Sequence, residues 1–166
     1  MKRFEHVRHR APLPLPQPRP LILAVSPMRS GVNLSRLVRL AGCAGITRML
    51  YNGPQRIDAK IARDAIDVVR VDRRRSLAPP IQELRDQGYR CVGLEQTTNS
   101  TCLYEYRYER RTVLLIGSER EGLTDKLLRL VDDTVEIPVY GQPASYNVVT
   151  ATAMAVYEYC RQFPAG

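Results

Sequence analysis

The sequence predicts an α/β fold, a mostly parallel sheet with helices on both faces. Three observations carry this. Short apolar runs of strand length alternate with segments of helical length along most of the chain, the pattern of sheets built from successive strand-helix units. Near the end, LLIGSEREGL at Leu114 to Leu123 and VEIPVYGQPASYNVV from Val135 each pass from an apolar strand through small and polar residues toward a helix. Such junctions build ligand sites at strand ends. Finally, 166 residues suit one domain that buries its own core.

Residues 1–20 hold five of the 12 prolines and little periodic hydrophobicity, so they form neither a helix nor a central strand. They read as a basic flexible arm, with the folded domain spanning residues 21–166. LILAV at Leu21 to Val25 is a short buried strand ending at Ser26-Pro27, and after the Met28 to Gly31 loop a helix is expected from Asn33 to Ala44, stopped by Gly45. TRMLYN is the second strand, Gly53-Pro54 a turn, Asp58 to Asp64 a short helix and Val68 to Val71 a third strand. A helix from Ser76 to Gln87 follows, with Gly88 as its C-terminal stop.

The second half repeats the alternation. Strands are expected at Cys91 to Leu94, Thr112 to Ile116 and Thr134 to Ile137, with a helix at Thr124 to Leu130; the pattern leaves Thr101 to Glu105 unassigned. The last helix differs from the others, because from Val148 to Tyr159 apolar residues cover nearly its whole circumference. Such a helix needs burial on more than one side. Either a second subunit covers the outer face or the domain's own loops do.

Charge points to a partner. The chain carries 25 Lys and Arg against 17 Asp and Glu, a formal net charge of +8, which favours a polyanion or serves only solubility. The basic residues are mostly arginines, which fork onto phosphate where lysine offers a point charge. They cluster as Lys2, Arg3, Arg8, Arg10 and Arg19 in the head, as the triplet Arg73 to Arg75, and as Arg107, Arg110 and Arg111 beside Tyr104, Tyr106 and Tyr108. Arginines interleaved with aromatics suit stacking and clamping of single-stranded nucleic acid, or equally an amphipathic edge with solvated charges.

Several classes lose support. Cys43, Cys91, Cys102 and Cys160 lack paired metal-ligand spacing and both histidines, His6 and His9, lie in the head, which argues against a zinc site or a disulfide framework. Cys43 and Cys91 read as small core residues. No apolar run reaches membrane-spanning length and the head lacks the apolar core of a signal peptide, so a cytoplasmic protein is expected. The dinucleotide, P-loop, zinc-protease and nucleophile-elbow motifs are absent, and no Ser/His/Asp set exists outside the head.

Three segments remain: Asn33-Leu34-Ser35-Arg36-Leu37-Val38-Arg39, Gly117-Ser118-Glu119-Arg120-Glu121-Gly122-Leu123, and Ile137-Pro138 leading to Ser145-Tyr146-Asn147. Together they resemble the SpoU (TrmH-like) class of the SPOUT superfamily of S-adenosylmethionine-dependent RNA 2′-O-methyltransferases. The first matches an early asparagine with a downstream arginine, the second a G-x-E-x-x-G motif and the third an S-[LY]-N-V motif after I-P. The resemblance covers roughly Leu21 to Arg161. It implies a C-terminal deep trefoil knot, a methyl donor bent into it and an active site completed in a homodimer. Ordinary connectivity rules argue against a knot, and only the resemblance supplies one.

By that resemblance the donor contacts are Leu94, Gly117, Ile137 and Ser145, and the catalytic set is Asn33, Arg39, Glu119 and Asn147. A ribose hydroxyl must lose its proton as it attacks the methyl group. Arg39 is the matched residue, yet guanidinium groups stay protonated, so holding phosphate and stabilising developing oxyanion charge is a second role beside that of base. Asn33 precedes Arg39 by six residues, about 600° of helix rotation, and reads either as an N-cap or as a group orienting arginine or RNA. Glu119 reads as a hydrogen-bond anchor or as an acid favoured at a helix start. Asn147 is a ligand-facing amide or another cap.

Two positions depart from the pattern: Ser35 stands where a glycine is usual, tightening the approach of RNA or a loop to the first helix, and Tyr146 replaces a leucine. The expected activity is methyl transfer to a ribose 2′-hydroxyl of structured RNA, with tRNA favoured over rRNA by family analogy, without metal or membrane. Either the basic arm would serve in place of an extra RNA-binding domain or the substrate would bind across the dimer alone. A non-catalytic RNA-binding protein on the same fold is the alternative.

Overall fold

The computed structural model describes residues 3–7 and 10–166, so Lys2, Arg8 and His9 lie outside the described residues. The elements run β1 (Leu21–Val25), α1 (Gly31–Cys43), β2 (Arg48–Tyr51), α2 (Ala59–Ala62), α3 (Ala65–Val68), β3 (Arg70–Arg73), α4 (Ala78–Asp86), β4 (Arg90–Leu94), β5 (Thr101–Cys102), β6 (Thr112–Ile116), α5 (Asp125–Leu128), β7 (Asp133–Glu136) and α6 (Val148–Gln162). The strands form one sheet in the order β3-β2-β1-β6-β4-β7-β5, and each neighbouring pair is parallel.

β1 and β6 are buried at every position because they lie in the middle of a sheet covered on both sides. Alternate side chains of β1 enter different cores, as strand geometry requires. Leu21, Leu23 and Val25 join Leu34, Leu37 and Val38 of α1 and Ala155, Val156 and Tyr159 of α6. Ile22 and Ala24 join Ile81 and Leu84 of α4 and Leu123 before α5. The expected α/β class with helices on both faces is the observed one.

Local chemistry explains where the boundaries differ from expectation. α1 begins two residues before Asn33, because Ser30 is its N-cap and accepts from the Asn33 amide at 3.4 Å. The short helix expected at Asp58 to Asp64 ends early at Arg63, whose positive φ of 53° interrupts the right-handed run, and a further short helix, α3, follows and takes in Val68, the first residue of the expected third strand. Ser35 does not face a ligand: it is fully buried, donating to the Gly31 carbonyl at 2.5 Å and accepting from the Asp58 amide at 2.8 Å, which pins the start of α2 to α1. Cys43 is exposed rather than in the core, since it ends α1 on the solvent side.

The inner side of α6 is covered by the chain itself, through a tyrosine cluster built on the core residue Tyr159. Tyr106 packs edge-on against Tyr108 and Tyr108 against Tyr159, with centroids 4.8 and 5.6 Å apart. Two of the three tyrosines expected as stacking platforms are therefore core residues, and Tyr104 alone of them is exposed. Val156 is buried inside the domain, while Tyr157 stands 77% exposed. Arg19, grouped with the arm by sequence, is also buried, and its guanidinium donates to the carbonyls of Ala44 and Phe163.

β7 returns to the side of β4 opposite β6, so the chain passes β4 between these two strands. Charged pairs fix the join. Arg90 of β4 makes a two-pronged contact with Asp133 of β7 at 2.8 and 3.0 Å, and the Tyr106 hydroxyl donates to the same carboxylate at 2.8 Å. These contacts hold the Asp133 carboxyl below its ordinary value, the Arg90 hydrogen bond foremost.

Candidate active site

The loop between β6 and α5 is shaped by two glycines. Ser118 and Gly122 exchange backbone hydrogen bonds of 3.0 Å each, closing the loop on itself. A side chain at Gly117 would put its Cβ 2.3 Å from the Gly122 carbonyl carbon, so the first glycine of G-x-E-x-x-G is needed for close approach of the backbone. Gly122 takes a φ of +64° and is overhung by Glu95, whose carboxylate accepts from the Leu123 amide at 2.8 Å. The loop is thus tied to β4 as well as to β6.

This closure presents Glu119 to α1. Its Oε1 accepts from Asn33 Nδ2 at 2.8 Å and its Oε2 from the Arg29 backbone amide at 2.9 Å. Burial pushes the carboxyl up, but the bonds from Asn33 and Arg29 outweigh it and hold Glu119 below its ordinary 4.5. It is an ionised acceptor at neutral pH, able to orient a donor and unsuited to giving a proton.

Beside the loop lies a cavity of about 450 Å³ at the carboxyl ends of β4, β6 and β7. Leu94, Gly117, Ile137 and Ser145 line it, together with Glu119 and Asn147. Tyr146 also reaches the wall, and Leu94, Ile116 and Val135 give it an apolar floor. Asn147 is the N-cap of α6, accepting from the Val149 amide at 2.9 Å, so it holds the helix start while standing at the cavity. Arg39 is not brought to this cavity: it is exposed on α1, six residues beyond Asn33. The 138–147 segment that closes the cavity leaves Tyr140 85% exposed.

Residues 20–157 match the SpoU rRNA Methylase family. The chain belongs to this family. Within 133 aligned residues this SpoU domain is 30% identical to the tRNA (guanosine(18)-2'-O)-methyltransferase of Escherichia coli K12, an alignment spanning 78% of this chain and 58% of that protein. A segment of 82 residues, 49% of the chain, is 40% identical to tRNA (guanosine(18)-2'-O)-methyltransferase TARBP1 of Mus musculus, of which it spans 5%. The SpoU fold is shared with the A. aeolicus TrmH/SpoU tRNA modifying enzyme, at a TM-score of 0.84 and 24% identity over 90% of this chain and 78% of that one.

Among SpoU side chains here, sequence reasoning passed over Glu95 and Ser30. Glu95 had a visible signal, an acid directly after a buried strand and ahead of a polar loop, the position from which a carboxylate gathers backbone amides. Among the described residues no cluster of three or more His, Cys, Asp or Glu side chains could hold a metal ion, and no helix is long and apolar enough to cross a membrane.

Proposed function

We propose that this chain is an S-adenosylmethionine-dependent methyltransferase acting on a ribose 2′-hydroxyl of structured RNA, tRNA before rRNA, as a homodimer in the cytoplasm with a knotted C-terminal part. One observation carries the reading: two sequence segments far apart in the chain line one cavity at the carboxyl ends of β4, β6 and β7, and the third is tied to it by the bond from Asn33 to the lining residue Glu119. The names of the E. coli and mouse relatives support RNA ribose as the substrate.

The cavity suits the donor. Its volume lies in the range of small-molecule sites, and an apolar floor with a few polar side chains is the lining an adenosine moiety needs. Leu94 and Ile137 would flank the base, Gly117 would let the ribose approach the backbone, and Ser145 and Asn147 would meet the polar end. Bound there, S-adenosylmethionine supplies an electrophilic methyl group.

The remaining work falls to the protein. Glu119, held ionised, fixes the Asn33 amide at the cavity rim, and that amide and the carboxylate together orient the incoming ribose. Arg39 holds the adjoining phosphate and offsets charge on the attacking oxygen. Because Arg39 stands on the solvent face of α1, the homodimer is what joins it to the reacting ribose; exposed Tyr140 and Tyr157, near the cavity wall and on α6, support such an interface. The alternative, a non-catalytic RNA-binding protein, predicts RNA binding without transfer.

The test is incubation of the purified chain with methyl-labelled S-adenosylmethionine and unmodified tRNA, followed by digestion to nucleosides. Label in a 2′-O-methylnucleoside supports the reading. Tight RNA binding with no label, alongside donor binding absent by calorimetry, sinks it in favour of the alternative.

A further inference from the structure

The loop that carries Glu119 has a second cavity on its other side. It measures about 510 Å³, opens where β1, β2, β3 and β6 end, and shares Ser118 and Gly122 with the first. Its walls are apolar, from Met28, Pro54, Leu77 and Leu127. Set into them is Ser26, which is 4% exposed and whose Oγ has no hydrogen-bond partner among the described residues. A buried hydroxyl left alone is uncommon and points to a missing partner. Asn52, also on the wall, spends its Nδ2 on the carbonyls of Arg74 and Arg75 at 3.0 and 2.6 Å, which fixes its amide plane at the cavity.

The rim is cationic. Arg29, Arg75, Arg120 and Lys126 surround the opening against the single carboxylate Glu121, all are exposed, and none of the four makes an ion pair among the described residues. The start of α4 contributes little to an anion, because Pro79 and Pro80 remove two amide donors from its first turn. Phosphate recognition therefore falls to the rim side chains.

We propose that this second cavity seats a nucleotide of the substrate strand adjoining the methylated ribose, its base against the apolar walls with a hydrogen bond to Ser26, and its phosphate on the rim cations. The inference rests on the reading of RNA as substrate. An apolar slot with isolated polar groups accepts a base face and edge, and four unpaired cations match a phosphodiester. The shared loop gives the arrangement its purpose: a nucleotide held on one side of residues 118–122 fixes the register of the strand whose neighbour meets Glu119 on the other.

The experiment uses the full chain and a fluorescent unmodified tRNA transcript, with affinity measured by anisotropy across a range of salt, and donor affinity measured in parallel by calorimetry. Ser26→Val and Ser26→Ala should weaken tRNA binding by about fivefold with an unchanged salt slope, as expected for one uncharged hydrogen bond. Arg75→Gln with Lys126→Gln should make the slope of log affinity against log salt shallower by about two. Donor affinity and melting temperature should hold in every variant. Unchanged tRNA affinity in the Ser26 variants overturns the seated nucleotide, even if the charge variant responds, since that pattern is surface attraction alone. If the native chain binds tRNA without transferring methyl, the enzyme reading fails while the Ser26 comparison still decides the cavity; if it binds no tRNA, both fall.

Discussion

The side-chain amide of Asn33 donates to the Glu119 carboxylate at 2.8 Å, joining α1 to the β6–α5 loop across 86 residues of chain. Both carboxylate oxygens accept, the second from the Arg29 amide, so the site needs an acceptor on each side of residue 119.

Glu119→Gln replaces one of those acceptors with a donor, which Asn33 meets only by turning its amide over, and the charge-assisted bond is lost. On this half-buried pair it should cost about 1 kcal/mol of stability and slow methyl transfer. Combining it with Asn33→Asp restores a bond to a charged acceptor, and thermal melting should recover much of the loss. A double variant no more stable than the single would show that the pair is not the link between α1 and the loop.

The same carboxylate gives a pH signature. Its folded-state pKa lies below the ordinary 4.5, so its contribution is complete above that value and is lost as pH falls through the folded pKa. Asp133, also depressed, adds to the same acid window from the β4–β7 join. Urea midpoints measured from pH 7 down to 3 should therefore fall in the acid range, and less steeply in Glu119→Gln. Identical profiles would remove Glu119 from the stability account.

Gly117→Ala tests the close approach in the loop. With a Cβ 2.3 Å from the Gly122 carbonyl carbon, the backbone must shift, at a cost of about 1–3 kcal/mol. Donor affinity should drop at the same time because the cavity wall moves. Wild-type affinity in a destabilised protein would confine the glycine to a structural role.

Arg39→Ala should remove methyl transfer while leaving melting temperature and donor affinity near native, since the side chain is exposed and stands away from the cavity. Parallel loss of donor binding, read by calorimetry, would contradict the phosphate-holding role.

For the proposed homodimer, the informative position is the exposed Tyr157. Val156 is buried in the domain, so aspartate there should unfold the chain, at about 4 kcal/mol or more. Tyr157→Arg should keep the fold, by circular dichroism, and lower the sedimenting mass from dimer to monomer. A dimer that survives this change places the interface elsewhere.

By itself the sequence determined the alternation of strands and helices and a mostly parallel sheet, because strand length, helical periodicity and turn chemistry are local properties; the segments that hold Asn33, Glu119, Leu94, Gly117, Ile137, Ser145 and Asn147 stood out only through their resemblance to the SpoU motifs. Tertiary structure alone decided which of these meet. The Asn33 to Glu119 bond, the burial of Tyr106 and Tyr108 against Tyr159, the sealing of Ser35 under Asp58 and the solitary hydroxyl of Ser26 all depend on residues tens of positions apart being packed together. A tyrosine or serine has the same local signature whether its partner is water or a distant element of its own chain. The strand order, which brings β6 between β1 and β4 and returns β7 to the far side of β4, supplied those partners.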